Sequence, residues 1–436
     1  MNYQQALEFI HGRHRFKKNP DLETMKLLLS KLDNPQEDIN AIHVAGTNGK
    51  GSTVAYLRNI FQADGKKVGT FTSPFLIRFN ERISVDGNPI SDSELIKLVE
   101  QIKPIVEQLD VQLQSRAPTE FEVVTAMMFL YFAKHPVDVV IVEVGIGGLL
   151  DSTNVLNPKV SVITTIGMDH MQILGDTLEK IAFQKAGIIK EKTPVVVGNI
   201  APSPLNVIKE QASSKQAPIT ILNQQFKTTS HRTNTGWKQE FDYEDEDRLI
   251  RHLVIKMVGD YQIDNASCAI KAYIEYQLQN SEDVNNFAIS NGLLNTQWAG
   301  RFERVNDTPI VVLDGAHNID AVQEISKLIT EHFRNIDVHI IIAILSDKNY
   351  MEMLNTLGKL SNVHMTLTEF QAYGNRKAVD MPKIIKNIQS VNPVSFESDW
   401  HMAVAKVANE MSDDDMMLIT GSLYFISDVR KLFVTK

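Results

Sequence analysis

At 436 residues with 43% apolar content, the chain can bury a large core and exceeds a usual single domain, so two domains are expected. Forty-four basic against fifty-three acidic residues leave a net charge of −9 with no basic stripe, which argues against a nucleic-acid partner; an anionic small substrate stays open, because local fields in a cleft outweigh the global sum. Cys268 is the single cysteine, which excludes an internal disulfide and fits a reducing compartment, and no apolar run reaches the length of a membrane span. The expectation is a soluble, unprocessed, cytoplasmic protein, and without a heptad array or apolar edge it is expected to be a monomer.

In chain order, the first strong element is the apolar run Ala41 to Ala45, expected as a strand. It runs into HVAGTNGKGST, His43 to Thr53, after which Val54, Leu57, Ile60 and Phe61 fall on one helical face. Strand, glycine-rich loop and helix in that order hold phosphates. Gly46, Gly49 and Gly51 allow a tight turn whose N–H groups are left free to converge on an anion, and the helix start adds its positive dipole end. Lys50 brings a mobile charge to the outer phosphates, while Ser52 and Thr53 place hydroxyls for a phosphate oxygen or a magnesium ion. Only Thr47 and Asn48 separate Gly46 from Gly49, a tighter spacing than the Walker A pattern. A strand-to-helix turn with incidental glycines is the plainer alternative.

Beyond the loop, apolar runs at Lys67 to Thr72, Asp138 to Val144, Val160 to Ile166 and Pro194 to Gly198 alternate with amphipathic helical patterns at Ser93 to Leu109 and Thr119 to Lys134. NERISVDGNPIS reads as a hairpin turning at Asp86 and Gly87. A doubly wound, mostly parallel sheet results. The stretch Gln224 to Asp247 is polar and reads as short strands and exposed turns, before a long helix from Tyr261 to Leu278. NTQWAGRFE then interrupts the helical pattern, and a second alternation begins at Pro309, with a helix at Ala321 to Phe333 and a strand at Val338 to Ile344. This predicts a P-loop mononucleotide-binding domain over 1–296, a linker over 297–301 and a smaller Rossmann-like α/β domain over 302–436.

Chemistry gathers at strand ends. Asp138 to Val144 leads into EVGIGG, so Glu143 emerges at the carboxyl end of a buried strand, where open α/β sheets put ligands, and an oxygen donor beside a phosphate loop suits magnesium. A cap or loop acceptor is the plain alternative. FTSPF and TTIGMDH end their strands in the same way and carry Ser73, Asp169 and His170; on residue chemistry alone Ser73 reads as a turn residue and His170 as a loop or capping residue. In the second alternation, Arg301 stands in the linker, and Asp314, His317 and Asn318 follow the first strand in LDGAHN. An arginine there could pair with phosphate; a linker salt bridge, a helix cap and a loop histidine are the alternatives.

GTNGKGS, TSPF, NERI, EVGIGG, DSTN, GMDH, KAGIIK, WAGRFE, DGAHN and GSLY follow one another along the chain in an order that resembles the folylpolyglutamate synthase and dihydrofolate synthase family of the Mur ligase superfamily. That resemblance implies ATP-binding residues at Thr47, Asn48, Gly49, Lys50, Gly51, Ser52, Thr53, Asn265, Arg301, Asp314 and His317, and magnesium ligands at Ser73, Glu143 and His170. Lys185 in QKAGIIK corresponds to the lysine that such enzymes carboxylate on its amine, with a solvated helix lysine as the alternative. Lys50, Lys185 and His317 are the implied catalytic groups, and Phe75, Arg82 and Asp151 the implied folate side. An aromatic ring at Phe75 could stack on a flat heterocycle or simply pack. The sequence departs from the family at Phe75, where many dual-function members have histidine, at Leu149, where arginine is common, and at Gln184, where glutamate is common.

The implied activity is an ATP-dependent amide ligase. It joins L-glutamate to the γ-carboxyl of a reduced folate or its polyglutamate tail through an acyl phosphate, releasing ADP and phosphate. Dihydrofolate synthase activity on dihydropteroate, alone or combined in one enzyme, is the alternative. A peptidoglycan-precursor ligase predicts a separate amino-terminal domain before the loop, and a P-loop switch would need none of the second set of polar residues.

Overall fold

The apolar runs expected as strands pair into one large sheet. The computed structural model describes residues 1–14, 17, 20–231, 237–372 and 377–434. Its chain divides into two units: residues 1–230, 241–254 and 263–296 form the first, and 231–240, 255–262 and 297–436 the second.

In the first unit, β1 (Ala41–Ala45), β2 (Val68–Phe71), β3 (Ile83–Val85), β4 (Asn88–Pro89), β5 (Val139–Glu143), β6 (Val160–Ile163), β7 (Val195–Val197) and β8 (Ile219–Ile221) build a sheet in the order β4-β3-β2-β5-β1-β6-β7-β8. From β2 to β8 the pairs are parallel. The inner strands are mostly Val, Ile and Ala and are buried on both faces, as a helix-covered parallel sheet requires. β3 and β4 add antiparallel at one edge, and the turn between them has positive φ at both Asp86 (52°) and Gly87 (80°), the pair a two-residue hairpin loop demands.

Register decides what this sheet presents. Val44 lies opposite Glu143, Ala45 opposite Ile163, and Phe71 opposite Val142, so the ends of β1, β2, β5 and β6 come out level at one edge. β6 stops at Ile163, short of the expected Ile166, because the Thr165 carbonyl turns to accept the Thr47 N–H (2.9 Å).

Helices Lys50–Ala63, Asp92–Leu113, Glu120–Lys134 and Asp260–Gln279 match the expected patterns to within a few residues. Two start with reciprocal caps: Ser91 with Glu94, and Thr119 with Glu122. Two amino-terminal helices, Tyr3–His11 and Glu23–Ser30, stood outside the expected elements. Their apolar faces join one core with Phe71, Phe79, Leu98, Phe129 and Val140, while a second core of Ile163, Ala182, Val197 and Ile208 lies toward the other end of the sheet. The polar stretch 224–247 forms a three-stranded sheet with the segment after it, β9 (Phe226–His231), β10 (Gln239–Asp245) and β11 (Leu249–Ile255) in the order β11-β10-β9; residues 232–236 of that stretch lie outside the described residues.

The second unit has its own sheet, in the order β12-β13-β17-β14-β15-β16: β12 (Glu303–Asp307), β13 (Ile310–Leu313), β14 (Val338–Ile342), β15 (Val363–Glu369), β16 (Ser395–Asp399) and β17 (Met416–Thr420). All pairs are parallel except β12 with β13. Helices such as Ile319–His332 and Tyr350–Gly358 cover it through a core that includes Val312, Ile325, Leu328, Ile340, Met353 and Leu418. β12 was not expected from the sequence: only Val305 in Glu303–Asp307 is apolar, and the strand exists because its backbone finds β13. No described helix is long and apolar enough to cross a membrane.

Candidate functional site

The glycine-rich loop joins β1 to the helix Lys50–Ala63. Gly49 sits at its turn with φ of 87°, and a Cβ there would stand 2.2 Å from Asn265 Oδ1, so neither the conformation nor the approach of Asn265 tolerates a side chain. The loop differs from expectation in one respect. The N–H groups of Thr47 and Asn48 do not wait for an anion: they are spent on the carbonyl (2.9 Å) and the hydroxyl (2.9 Å) of Thr165. The Thr47 hydroxyl in turn accepts the Gly167 N–H (2.9 Å) and donates to the Gly167 carbonyl (3.1 Å). The anion-directed amides are therefore those of the first helical turn, Lys50 to Ser52, which an α-helix leaves without an internal carbonyl. Lys50 folds back on its own loop, donating to the carbonyls of Gly46 (2.9 Å) and Thr47 (3.1 Å). The Thr164 and Thr165 pair escaped the sequence reading; its signal was two hydroxyls at the exit of an apolar strand.

On the neighbouring strand ends, Glu143 is the last residue of β5, 5% exposed, and its Oε2 accepts the Ser73 N–H at 3.1 Å. Ser73 and Glu143 are thus brought together as the register requires. His170 occupies the left-handed residue (φ 51°) before the short helix Met171–Leu174, makes no side-chain cap, and has Nε2 3.9 Å from Asp169 Oδ2. Carboxylate and hydroxyl oxygens suit a hard cation such as magnesium, and a buried strand-end carboxylate beside a phosphate loop is the group to hold one. Among the described residues, no three His, Cys, Asp or Glu side chains converge tightly enough to hold a metal by themselves. Magnesium is usually held by one or two protein oxygens with phosphate and water completing its shell, and the Glu143 carboxylate and the Ser73 hydroxyl are donors of that kind.

Lys185 lies near the end of the helix Leu178–Ala186 and is only 4% exposed, so the solvated-lysine alternative fails. Burial, reinforced by the charge of Lys50 and opposed by Asp169 and Asp151, pulls its amine down to about 7. A loop after β5 wraps this helix end: Leu149 N–H donates to the Gln184 carbonyl at 2.7 Å. Asp151 fastens that loop. Its Oδ2 accepts the Ile146 N–H (2.9 Å), and its Oδ1 accepts the Thr153 N–H (3.0 Å) and hydroxyl (2.5 Å). Burial raises the Asp151 carboxyl against those hydrogen bonds. Thr153 Oγ1 also lies 2.8 Å from Nε2 of His43, a fully buried β1 residue that the sequence reading passed over and that desolvation pushes down to about 3. Because the Thr153 proton goes to Asp151, neutral His43 donates through Nε2.

Phe75 packs edge-on to Phe79 (5.8 Å between ring centroids), with the Arg82 guanidinium 5.3 Å above the Phe75 ring and 5.5 Å above that of Phe79. Packing is therefore a role Phe75 already has. Departing residues Leu149 and Gln184 meet at the backbone bond just described, and neither is fully buried.

The second unit positions Arg301, Asp314 and His317 through one turn and one strand end. Asp314 follows β13, is buried, and accepts the N–H of Phe302 on Oδ2 (2.7 Å) and of Ala316 on Oδ1 (2.8 Å). Burial raises its carboxyl, and the charge of Arg301 opposes that. The helix cap is Asn318, which accepts the Ala321 N–H at 2.9 Å, so Asp314 is not the cap. Arg301 donates to the Gly300 carbonyl (3.2 Å), and its Nη1 lies 2.5 Å from where a Cβ on Gly315 would stand. His317 Nδ1 is 2.7 Å from the Gly315 carbonyl, which fixes the proton on Nδ1 and makes Nε2 the acceptor. Tyr261, expected only as the start of a helix, is held protonated by burial and by the nearby charge of Asp314.

Comparison with known proteins places this arrangement. The Mur ligase middle domain model matches residues 44–273, and the Mur ligase glutamate ligase domain model matches 300–423. The chain is 41% identical over 431 residues to the dihydrofolate synthase/folylpolyglutamate synthase of Bacillus subtilis (strain 168), covering 98% of each chain. It is 37% identical to the folylpolyglutamate synthase of Lacticaseibacillus casei, covering 99% of this chain and 98% of that one. Among solved structures, the apo form of the L. casei enzyme superposes with a TM-score of 0.87 at 36% identity over 99% of both chains. The Mycobacterium tuberculosis folylpolyglutamate synthase complexed with ADP superposes with a TM-score of 0.89 at 28% identity, over 100% of this chain and 98% of that one. With both domain models matched in order and full-length identity of this degree, the chain belongs to the folylpolyglutamate synthase and dihydrofolate synthase family of the Mur ligase superfamily.

Proposed function

We propose that this chain is an ATP-dependent amide ligase that adds L-glutamate to the γ-carboxyl of tetrahydrofolate and its polyglutamates, releasing ADP and phosphate. The observation that carries this reading is the buried, near-neutral Lys185 in the field of Lys50, within the same unit as the phosphate loop and the strand-end Glu143. A carboxylate is a poor acyl donor, so its oxygen attacks the γ-phosphorus in line, ADP departs and an acyl phosphate forms. Lys50 leaves its own loop carbonyls and, with the first-turn amides of its helix, neutralises charge on the phosphoryl oxygens. Magnesium, held by Glu143, Ser73 and His170, supplies further charge neutralisation when bound. The glutamate amine then attacks the acyl carbon, and the tetrahedral intermediate collapses to an amide and phosphate.

Roles for the remaining residues follow from their settings. The neutral amine of Lys185 adds carbon dioxide, releasing a proton and leaving a carbamate, an anion able to orient substrate. Arg301 pairs with nucleotide phosphate; Asp314 and Asn265 contact the nucleotide as well. Nε2 of His317 is the acceptor best suited to take the proton of the glutamate amine. Arg82, seated on Phe75 and Phe79, presents a cation to the folate side, while Asp151 shapes that side through its loop. The unit built mainly from residues 1–296 binds the nucleotide phosphates, the unit built mainly from 297–436, with 231–240 and 255–262 recruited to it, is the ligase domain, and the enzyme works as a cytoplasmic monomer.

The test is product analysis with ATP and glutamate, using tetrahydrofolate and dihydropteroate as alternative acceptors. Glutamate addition to tetrahydrofolate is expected, and its absence would sink the proposal. Activity on dihydropteroate as well makes the enzyme bifunctional, a second reading favoured by the B. subtilis relative, which is named for both activities.

A further inference from the structure

The residues on either side of Arg301 both give their amide N–H to a carboxylate. Phe302 donates to buried Asp314 (2.7 Å), and Gly300 donates to Oε2 of Glu303 (2.8 Å). The Gly300 carbonyl is fixed too, accepting the Gly315 N–H at 2.9 Å. The strain in this turn sits on one residue: Gly300 has φ of 69°, which glycine adopts freely, but Phe302, a bulky aromatic, has φ of 45°, a conformation that persists only when its surroundings over-determine it. The surroundings are visible. The Phe302 ring packs against Phe333 (5.8 Å) and Trp237 (6.1 Å), and Glu303 is gripped by Arg430 of the helix Leu423–Phe433 through bonds of 2.7, 2.9 and 3.1 Å. Both partners of that pair are largely buried, at 16% and 19% exposure, so the fork is worth far more than a surface ion pair.

We propose that Glu303, clamped by Arg430, is the positioning residue that aims Arg301 at the nucleotide. Its two oxygens close the turn from the side opposite Asp314: one fastens Gly300, and both hold Arg430. Release of Glu303 lets the turn relax, Phe302 returns toward negative φ, and the guanidinium swings away from its place over Gly315. Glu303 touches no substrate and acts through Arg301. The inference rests on the reading that Arg301 contacts ATP.

The test compares KM for ATP and for glutamate in wild type, Arg301→Ala, Glu303→Ala, Glu303→Gln, Arg430→Met and the double variant Arg301→Ala/Glu303→Ala. Binding of a nonhydrolysable ATP analogue serves where turnover is too slow to measure. Glu303→Ala is expected to raise KM for ATP roughly tenfold, the scale of one weakened hydrogen bond to a charged group, while KM for glutamate stays within about twofold. Glu303→Gln, which keeps an acceptor for Gly300, restores most of that loss, and Arg430→Met, which removes only the clamp, falls in between. In the Arg301→Ala background the Glu303 substitution should add nothing. The proposal is overturned if Glu303→Ala raises KM for ATP equally with and without Arg301, or leaves it unchanged while Arg301→Ala raises it. Should Arg301→Ala itself leave ATP binding intact, the assignment of Arg301 to the nucleotide fails, and the aiming role with it. If Glu303→Ala does not fold, Glu303→Gln and Arg430→Met carry the same comparison.

Discussion

Lys185 and His43 show how burial assigns a chemical state to a side chain. Lys185 titrates at about 7 because its ammonium is desolvated and faces Lys50. A carbamate needs the unprotonated amine, so carbon dioxide uptake and ligase activity should both fall as pH drops below about 7; a carbamate signal from labelled carbon dioxide, followed by NMR against pH, checks this. Lys185→Ala should lower kcat by at least roughly a hundredfold, since it removes both the carbamate and its orientation. His43 differs, because burial keeps its ring neutral until the pH falls toward about 3. The unfolded chain takes up its proton near the ordinary value of 6.5, the folded chain only at about 3, so this residue's share of stability is full above pH 6.5 and lost as pH falls toward 3. His43→Leu should cost about 1–3 kcal/mol at neutral pH by leaving buried Thr153 Oγ1 without its donor, and should flatten the acid limb of a urea-denaturation series between pH 6.5 and 4. Neither state was legible in the sequence. A lysine in QKAGIIK reads the same whether solvated or buried, and a histidine inside a strand gives no sign that its partner stands 110 residues away.

At the level of elements, the strand–loop–helix of the phosphate site was the most readable part, because glycine, lysine and hydroxyl residues carry backbone and charge requirements in their own chemistry. What could not be read was which amides the loop keeps for itself. That choice depends on Thr165 at the end of another strand, set by the register of β1 against β6. β12 hid for a similar reason: a polar segment becomes a strand only when β13 supplies its partner. Asn265 belongs to the same class, since its approach to Gly49 is tertiary. Gly49→Ala should weaken ATP binding by at least roughly tenfold, because the new methyl group would need positive φ and the place now taken by Asn265 Oδ1. Calorimetric titration with an ATP analogue measures it, and an unchanged affinity would mean that Asn265 moves freely.

For the molecule as a whole, composition indicated two domains but not which residues belong to each. The sequence reading put the change at the linker after residue 296, yet 231–240 and 255–262 also go to the second unit, where Trp237 and Val258 join its core. Residues distant in the chain are recruited by apolar contact, which no local pattern reports. Each unit has a large sheet and buried apolar clusters of its own. Thermal unfolding should therefore depart from a single two-state transition, with an ATP analogue shifting the component that contains the phosphate loop. Scanning calorimetry checks this; one symmetric peak with equal calorimetric and van't Hoff enthalpies would contradict it.

The Thr165 bonds to Thr47 and Asn48 have a kinetic meaning as well. A loop whose curvature is locked by a neighbouring strand has already lost its conformational entropy during folding, so nucleotide capture should require little further ordering of the loop backbone. Amide hydrogens at 47 and 48 should accordingly exchange slowly even without nucleotide. In evolutionary terms, the loop and the strand end that braces it form one heritable unit, and grafting the glycines alone into another fold would transfer the motif without its shape.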